Sequence, residues 1–373
     1  MSAANIPYSM TNDSIPRRIE RLNTEDAAFR AAMPDPGITT ARGRADLGLA
    51  QIVQVVMEGY ADRAALATRS SELVSDEAGR TSRRLLPHFE TMTYRELWAR
   101  ARSLAALWYH DADRPLRADD RLCILAFAGT DFVTVDLAAI HNGAVVVPLQ
   151  TNAPLAQLQA IFGEVQPNWL ATNVESLPTA VELVLTGWRP RGLLLFGHHP
   201  EMDDERERVE AAQTRLAAAG LPRLLETLPC ACAEGERLGP APLFQGPDTD
   251  LRMCTIYYTS GSTGLPKGAM YPERMVKPNW RAVGTLPVFY LHYMPMNHSF
   301  GRSGVFLTLG AGGTCFFTGK SDLSTLFDDL RAVRPTFMAM VPRLSKSKSA
   351  CDETGRLRMP RTGKENLLGF PSG

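Results

Sequence analysis

The pattern of apolar and polar positions predicts strands and helices that follow one another along most of the chain. Short apolar runs such as RLCILAF, AVVVPL, NWLAT and RGLLLF are typical of buried strands. Longer segments around them have the spacing of amphipathic helices, among them LAQIVQVVMEGYADRAAL, TYRELWARARSLAALWYHDA and DFVTVDLAAIHNG. Because the strands alternate with helices, we predict an α/β fold with mostly parallel sheets and helices on both faces.

Local signals at the helix ends support these elements. Thr93 precedes a helix and Glu96 stands three residues later, which is the pattern of a capping box. Gly143 follows the helix DFVTVDLAAIHN at the position where glycine commonly ends a helix. The segment PLAQLQAIFGEV predicts a further helix with proline in its first turn. The expected apolar face of that helix consists of Leu155, Leu158, Phe162 and Val165.

Composition places the chain among ordinary globular proteins. It has 373 residues, with 40 Lys and Arg balancing 40 Asp and Glu, and 45% of its residues are hydrophobic. Zero net charge gives no general attraction to nucleic acid or to an anionic membrane, so we expect no nucleic-acid partner. The first residues do not resemble a secretory signal, and no apolar run is long enough to span a membrane. The six scattered cysteines indicate reduced thiols in a cytoplasmic protein, and the oligomeric state stays open.

The segment TIYYTSGSTGLPKGAMYPE, residues 255–273, contains the most informative loop of the chain. Glycines allow a backbone to approach an anion closely, and successive amides in such a turn form an anion-binding concavity. Hydroxyl donors and one lysine add further contacts, and Pro266 is expected to stiffen a turn before the lysine. The residues that carry this prediction are Thr259, Ser260, Gly261, Ser262, Thr263, Gly264 and Lys267. We therefore predict that this loop binds a phosphate chain.

Two other interpretations of the loop fit the residues less well. A Walker A loop requires G-x-x-x-x-G-K-[ST], but Pro266 stands where the second glycine would be and Gly268 follows Lys267. A flexible Ser/Gly linker would not normally lie directly between a buried strand and a proline-lysine-glycine segment. Neither a P-loop ATPase or GTPase nor a simple linker is therefore the preferred interpretation.

The segment YYTSGSTGLPKG resembles the phosphate-binding motif of the adenylate-forming superfamily, which includes acyl-CoA synthetases, luciferases and adenylation domains. The segments GAMYPERMV, MPMNHSFGRSGVFLTLGAGGT, SDLSTLFDDLRAVRPT and VPRL are similar to the version found in the adenylation domain of carboxylic acid reductases. Upstream, VMEGYADRAAL, TYRELWAR and VDLAAIHNGAVVVPLQTNAP resemble the same domain. The resemblance covers residues 18–344. It implies the large N-terminal core of the adenylate-forming fold.

The resemblance implies the ATP-dependent activation of a fatty or aromatic carboxylic acid to an acyl-adenylate, with ATP and Mg²⁺ as cofactors. It assigns the contacts with the β- and γ-phosphates to the loop residues named above, with Lys267 also acting in catalysis. It further implies that His298, in MPMNHSFG, lies near the substrate carboxylate and the α-phosphate. Asn297 departs from the family pattern, in which we expect serine. A structural role is the alternative for His298, and we interpret the other histidines as structural or loop residues.

Other candidate sites are weaker. Cys230 and Cys232 form a C-x-C pair, but no second pair completes a zinc site, so we predict structural thiols. The segment GAGGT, residues 310–314, could be mistaken for a nucleotide loop. We interpret it as a tight turn between a helix and the strand CFF.

The sequence predicts a division into an N-terminal helical extension (residues 1–46), an incomplete AMP-binding adenylation core (47–344) and a divergent, disordered tail (345–373). The segments that follow in the family include the metal-binding glutamate, the ribose-binding aspartate and the small C-terminal subdomain. None of these is recognisable here. Nor are the domains of an intact reductase that use phosphopantetheine and NADPH. We therefore expect a truncated fragment with impaired activity.

Three functions are compared on this basis. The first is acid activation as the N-terminal part of a carboxylic acid reductase. A long-chain fatty acyl-CoA ligase shares the same first half-reaction and is the enzymatic alternative. A catalytically inactive fragment that binds ATP is the third, and a nucleic-acid or protein-interaction module has only the basic tail in its favour.

Overall fold

The computed structural model describes residues 14–246, 250–260, 266–282 and 284–339. Its helices are α1 (Ser14–Glu25), α2 (Ala27–Ala31), α3 (Pro36–Arg42), α4 (Leu49–Gly59), α5 (Tyr94–His110), α6 (Thr130–Asn142), α7 (Leu155–Val165), α8 (Leu177–Thr186), α9 (Asp203–Ala218), α10 (Leu228–Gly235), α11 (Glu273–Arg281), α12 (Ser299–Gly310) and α13 (Leu326–Val333). Its strands are β1 (Ala64–Ser75), β2 (Thr81–Thr93), β3 (Arg121–Leu125), β4 (Val145–Pro148), β5 (Trp169–Asn173), β6 (Gly192–Phe196), β7 (Leu225–Thr227), β8 (Met253–Ser260), β9 (Pro266–Pro272), β10 (Phe289–His292) and β11 (Thr314–Phe317). The predicted tail, 345–373, lies outside the described residues.

The larger sheet has seven strands in the order β7-β6-β5-β3-β4-β8-β9. The strands from β7 to β8 run parallel, and only the last pair, β8 and β9, is antiparallel. Helices connect the parallel strands, as βαβ units require. The four apolar segments that predict strands form β3 to β6, so that part of the prediction is confirmed.

A smaller sheet has the order β10-β11-β1-β2. Strands β10, β11 and β1 are parallel, whereas β1 and β2 form a long antiparallel hairpin. With both sheets mostly parallel, the predicted fold class is confirmed.

The buried apolar side chains form three clusters, which lie between layers of sheets and helices. The largest apolar cluster joins α4, α5, α6 and α12 with the facing surfaces of both sheets. A second cluster packs α7, α8 and α9 on the far side of the seven-stranded sheet, and a third packs α13 on the far side of the smaller sheet. Strands covered on both faces by helices explain why their sequences are continuous apolar runs.

Both helix-end predictions are confirmed. The Thr93 hydroxyl accepts a hydrogen bond from the Glu96 backbone amide, and the Glu96 carboxylate accepts one from the Thr93 amide at 2.7 Å. Gly143 ends α6 with φ of +74°. A side chain there would be strained, and its Cβ would also stand 2.5 Å from the Phe244 ring. Glycine is therefore required at this helix end.

The predicted face of α7 is partly wrong. Leu158, Phe162 and Val165 are buried, but Leu155 is 37% exposed and Ile161 is buried instead. Leu155 is the first residue of the helix, and the first buried residue is Leu158, one turn later. The helical spacing of apolar residues alone does not indicate at which residue of the helix burial begins.

The hairpin of β1 and β2 extends beyond the smaller sheet as an arm, defined here as residues 70–84. A shift in strand register lies between Arg69 and Ser71, at the base of the arm. Near its tip, Arg80 donates hydrogen bonds to Asp204 and Glu207 of α9, and the Thr81 amide donates one to Asp203 at 2.6 Å. The arm thereby connects the smaller sheet to a helix that packs on the larger one.

Within the described ranges, none of the helices combines the length and apolar character needed to cross a bilayer. Of the cysteines in these ranges, Cys123, Cys232, Cys254 and Cys315 are buried free thiols, and Cys230 is exposed. Burial raises the pKa of the Cys232 thiol to about 11 and that of Cys254 to about 12. These two thiols are therefore protonated at neutral pH.

Candidate functional site

Strands β8 and β9 carry the predicted phosphate loop between them. Thr259 pairs with Lys267 and Ser260 pairs with Pro266 in the antiparallel register. The Thr259 hydroxyl lies 3.5 Å from the Lys267 carbonyl oxygen, and both side chains are exposed. Gly261, Ser262, Thr263 and Gly264 lie outside the described residues. The described strands therefore fix the two ends of the loop.

The expectation of a turn at Pro266 is wrong, because Pro266 and Lys267 belong to strand β9. Proline is accepted there because it is the first residue of an edge strand. Such a strand forms ladder hydrogen bonds on one side only. Gly268 allows the two strands to pack closely, as its Cβ would stand 3.2 Å from the Tyr258 ring. Lys267 is consequently held at a defined position on an edge strand.

Strand β8 has one buried and one partly covered face. Thr255 and Tyr257 are 0% and 6% exposed, whereas Ile256 and Tyr258 on the opposite face are half-buried. Alternate residues of a strand share a face, so Thr259 continues the row of Thr255 and Tyr257. It is the first member of that row to be exposed.

His298 lies at the N-terminal end of helix α12, as its N-cap residue. Its Nδ1 accepts a hydrogen bond from the Phe300 backbone amide at 3.2 Å, and its side chain is exposed. An imidazole that accepts through Nδ1 carries its proton on Nε2 when neutral. The cap therefore leaves a ring N–H free to donate toward the surface.

Helix α12 approaches strand β10 and the loop after it very closely. A Cβ at Gly301 would collide with the Pro295 carbonyl, and one at Gly304 would stand 2.8 Å from the Tyr290 hydroxyl oxygen. Both positions need glycine because another backbone or side chain occupies the space. The motif HSFGRSG thus combines a capping histidine with the small residues that let its helix pack on β10.

Arg302, one turn along α12 from His298, anchors this helix in the interior. It is 1% exposed, and its Nε and Nη2 donate to the two carboxylate oxygens of Asp136 on α6, which is 0% exposed. Its Nη1 donates to the hydroxyl oxygens of Thr255 and Tyr257 on β8. Burial alone would lower the pKa of Arg302, but Asp136 and Tyr257 outweigh it and the pKa is raised. The guanidinium is therefore permanently charged and neutralised by Asp136.

Sequence reasoning missed Arg302, Asp136, Thr255 and Tyr257. A signal was present, because Asp136 and Arg302 are isolated charges inside the apolar segments DFVTVDLAAI and FGRSGVFL. Charged residues are almost never fully buried unless they are paired. A pairing could have been suspected, although the partners are separated by 166 positions.

Two further histidines lie outside the strands and helix that carry the candidate site, and the GAGGT segment begins at the end of that helix. His292 ends β10 and is fully buried, and burial lowers its pKa to about 4, so the ring is neutral at pH 7. His199 accepts a hydrogen bond from Arg83 at 3.0 Å on the surface. The GAGGT segment lies between α12 and β11, and Gly312 has φ of +73°. That segment is a turn, as predicted.

A cleft of about 670 Å³ lies elsewhere, at the carboxyl ends of β3, β5 and β6. Its lining mixes cations such as Arg83 and Lys320 with carboxylates such as Glu90 and Glu175. Thr259, Lys267 and His298 are not part of that lining. In the parts of the chain that the structure describes, no cluster of His, Cys, Asp or Glu is arranged to hold a metal ion.

Comparison with known proteins adds to this geometry. The sequence profile described as AMP-binding enzyme matches residues 62–355, which include the loop, His298 and Arg302. The chain belongs to this AMP-binding family. The predicted recognition of an adenylate-forming domain is thereby confirmed.

Carboxylic acid reductases are prominent among the AMP-binding relatives. The enzyme of Mycobacterium tuberculosis is 45% identical over 90% of this chain, and the match spans 29% of that enzyme. The adenylation domain of carboxylic acid reductase from Segniliparus rugosus, solved in complex with AMP and a co-purified carboxylic acid, superimposes with a TM-score of 0.85. It is 38% identical over 89% of this chain and 54% of its own. A more distant relative is fatty acyl-CoA synthetase A of Dictyostelium discoideum, which is 26% identical over 61% of this chain and 33% of its own length.

The chain therefore spans less than a third of the length of the curated reductases that it matches. The described fold is that of the adenylation domain of carboxylic acid reductases. The predicted similarity to the reductases rather than to the acyl-CoA synthetases agrees with the higher identity and coverage of the former.

Proposed function

We propose that this chain activates a carboxylic acid by adenylation with ATP. A carboxylate oxygen attacks the α-phosphorus, the bond from that phosphorus to the bridging oxygen of pyrophosphate breaks, and an acyl-adenylate and pyrophosphate are formed. The observation that carries the proposal is the exposed pair Thr259 and Lys267, which flanks a loop of hydroxyl residues and glycines at the end of a buried strand. The AMP and the carboxylic acid bound by the Segniliparus rugosus domain support it.

The loop residues are proposed to hold the β- and γ-phosphates through backbone amides and hydroxyls. Lys267 would add a positive charge beside them, from its position opposite Thr259. Donors and cations that are already in position when charge develops are effective catalysts, because they need no reorganisation during the reaction. This assignment extends to Ser260, Gly261, Ser262, Thr263 and Gly264, as expected from the sequence.

His298 is proposed to orient the acid. Because its Nδ1 accepts the capping hydrogen bond, its Nε2–H is available to donate to a substrate oxygen. Such a donor suits a site in which a carboxylate oxygen must be oriented. The role assigned to His298 is therefore to position the carboxylate and stabilise charge near the α-phosphorus.

Mg²⁺ is proposed to accompany ATP, since this ion is commonly bound through substrate phosphates and a small number of carboxylates. It would neutralise part of the phosphate charge. The substrate class proposed is fatty or aromatic carboxylic acids.

Exchange of labelled pyrophosphate into ATP tests the proposal directly. We expect exchange that depends on added acid, measured with benzoate and octanoate, at a lower rate than that of a full-length reductase. Exchange without added acid, or none despite measurable ATP binding, would contradict acid activation. The second of these results would favour the alternative that the chain is an inactive ATP-binding fragment.

A fatty acyl-CoA ligase is the second enzymatic candidate, and the similarity to the Dictyostelium enzyme is the observation in its favour. Both candidates form the same acyl-adenylate, so the exchange assay does not separate them. Addition of coenzyme A does, because a ligase would release acyl-CoA and AMP. We expect no thioester from this chain.

A further inference from the structure

We infer that Arg302 is a positioning residue, which holds helix α12 against strand β8 so that the acid and the nucleotide meet in the correct alignment. The inference deepens the proposed function and rests on it. Arg302 is nearly inaccessible to solvent, so it does not touch a substrate. It acts through His298 on α12 and through Thr259 at the end of β8.

The guanidinium connects the two elements that carry the predicted site. On α12, Arg302 lies one turn after His298, about 6 Å along the helix axis, and its amide donates to the His298 carbonyl oxygen at 3.3 Å. On β8, its contacts are Thr255 and Tyr257. These residues precede Thr259 in one row on the same face of the strand. A shift of the guanidinium would move His298 and Thr259 relative to each other.

The side chain must be arginine for this arrangement. Its planar fork gives two nitrogens to the two oxygens of Asp136 and leaves the third nitrogen for Thr255 and Tyr257. A lysine keeps the charge but offers one ammonium group in place of the fork. Arginine and lysine carry the same charge, and Asp136 would neutralise either of them. The substitution Arg302→Lys therefore changes the geometry of the contacts and not the net charge near the substrates.

The same molecule contains a matched control pair. Arg69 on β1 pairs with Asp329 on α13, and their side chains are 10% and 0% exposed. Arg69 Nε also donates to the Leu86 carbonyl oxygen. This pair has the same residue types and similar burial, but it joins elements of the smaller sheet and contacts neither α12 nor β8. Arg69→Lys should therefore disturb stability without disturbing alignment.

The test compares the affinity of the full chain for ATP with its affinity for hydrolysis-resistant acyl-adenylate mimics, the benzoyl and octanoyl sulfamoyl adenosines. The mimics join an acyl group to adenosine and lack the β- and γ-phosphates, so their binding reports the position of His298 relative to the nucleotide, whereas ATP binding reports the nucleotide position alone. Since small misplacements can cost about 100-fold, we expect Arg302→Lys to weaken binding of the tighter mimic by about that factor and to leave ATP affinity unchanged. Arg69→Lys should change neither affinity, although thermal melting should show both variants to be destabilised.

A milder substitution covers the case in which Arg302→Lys does not fold. Thr255→Val removes one hydrogen-bond acceptor of Arg302 with little change in side-chain volume. It should weaken binding of the mimic by a smaller factor and leave the affinity for ATP unchanged. Its control is Thr308→Val, because the buried Thr308 hydroxyl donates only to the Gly304 carbonyl of its own helix among the bonds described. Equal effects of Thr255→Val and Thr308→Val on mimic binding would overturn the inference.

The outcomes also separate the inference from the proposed function. The inference is overturned, and acid activation stands, if Arg302→Lys and Arg69→Lys weaken binding of the mimic equally. The same holds if Arg302→Lys lowers the affinity for ATP as much as the affinity for the mimic. If the wild-type chain binds neither mimic, acid activation itself is overturned, and the inference with it.

Discussion

The exposed ends of strand β8 and helix α12 differ from the buried parts of the same elements. At the ends, Thr259 and His298 are exposed to solvent, as is Lys267 of β9, which pairs with Thr259. A few residues further in, Thr255, Tyr257 and Arg302 are at most 6% exposed and are joined by hydrogen bonds. The groups that could meet a substrate thus stand on elements that are fixed to each other in the interior.

His292 at the end of strand β10 and His298 after it present the same contrast. His292 is fully buried with a pKa lowered to about 4, whereas His298 caps a helix at the surface. This comparison teaches that exposed and buried residues of one motif should respond to different measurements. Substitutions at the exposed ends should change activity alone, whereas perturbation of the interior should also change stability.

The largest effect is expected for Lys267→Ala. Loss of a positioned cation beside developing charge typically reduces rates by roughly 10²–10³, and we expect that loss in pyrophosphate exchange. The melting temperature should stay unchanged, because the side chain is exposed on an edge strand. Lys320→Ala is the control, an exposed lysine in the separate cleft. Equal loss of exchange in both variants would mean that Lys267 has no specific role.

The next effect is expected for His298→Asn. Asparagine caps helices well, so the N-terminus of α12 should keep its stability. The imidazole N–H is lost, and we expect exchange to fall by about 100-fold, in the range of positioned donors. Wild-type exchange together with an unchanged melting temperature would show that His298 is only a cap. His88→Asn, another exposed histidine, controls for the general effect of the substitution.

The smallest effect concerns acid stability and His292. Its pKa is lowered from 6.5 to about 4 in the folded chain, so the unfolded chain binds more protons between these values. Stability is therefore retained above about pH 6.5 and lost as the pH falls toward 4. We expect a loss of about 2 kcal/mol between pH 7 and pH 5 from this residue.

Urea unfolding at several pH values measures that loss. In His292→Gln, a side chain that does not titrate replaces the imidazole, and the corresponding part of the pH dependence should disappear. An unchanged pH profile in this variant would contradict the assignment to His292, whatever the absolute stability of the variant.

The features that sequence predicts well are those with a local cause. The capping box of Thr93 and Glu96 depends on residues three positions apart, and Gly143 ends α6 because its own φ is positive. The strands β3 to β6 are recognised because both faces are covered, which makes their sequences uniformly apolar. Such signals are complete within a short window.

The features that sequence reasoning misses depend on distant partners or on position in the sheet. In the sequence alone Pro266 favours a turn, but in the structure it begins the edge strand β9. Arg302 and Asp136 are ordinary charges until the fold brings α12 and α6 together. For the candidate site, the sequence supplied Thr259, Lys267 and His298 but not the interior residues that relate them.

The arm formed by residues 70–84 has a consequence for the environment in which the chain works. Its tip is held to α9 by ion pairs of Arg80 with Asp204 and Glu207, whose side chains are 47–73% exposed. Such pairs are screened as ionic strength rises, since the Debye length shrinks from about 8 Å at physiological concentration to about 3 Å at 1 M. At high ionic strength the contact between the arm and α9 would weaken first. The hydrophobic layers beneath the arm would remain packed, because they depend on no exposed charge.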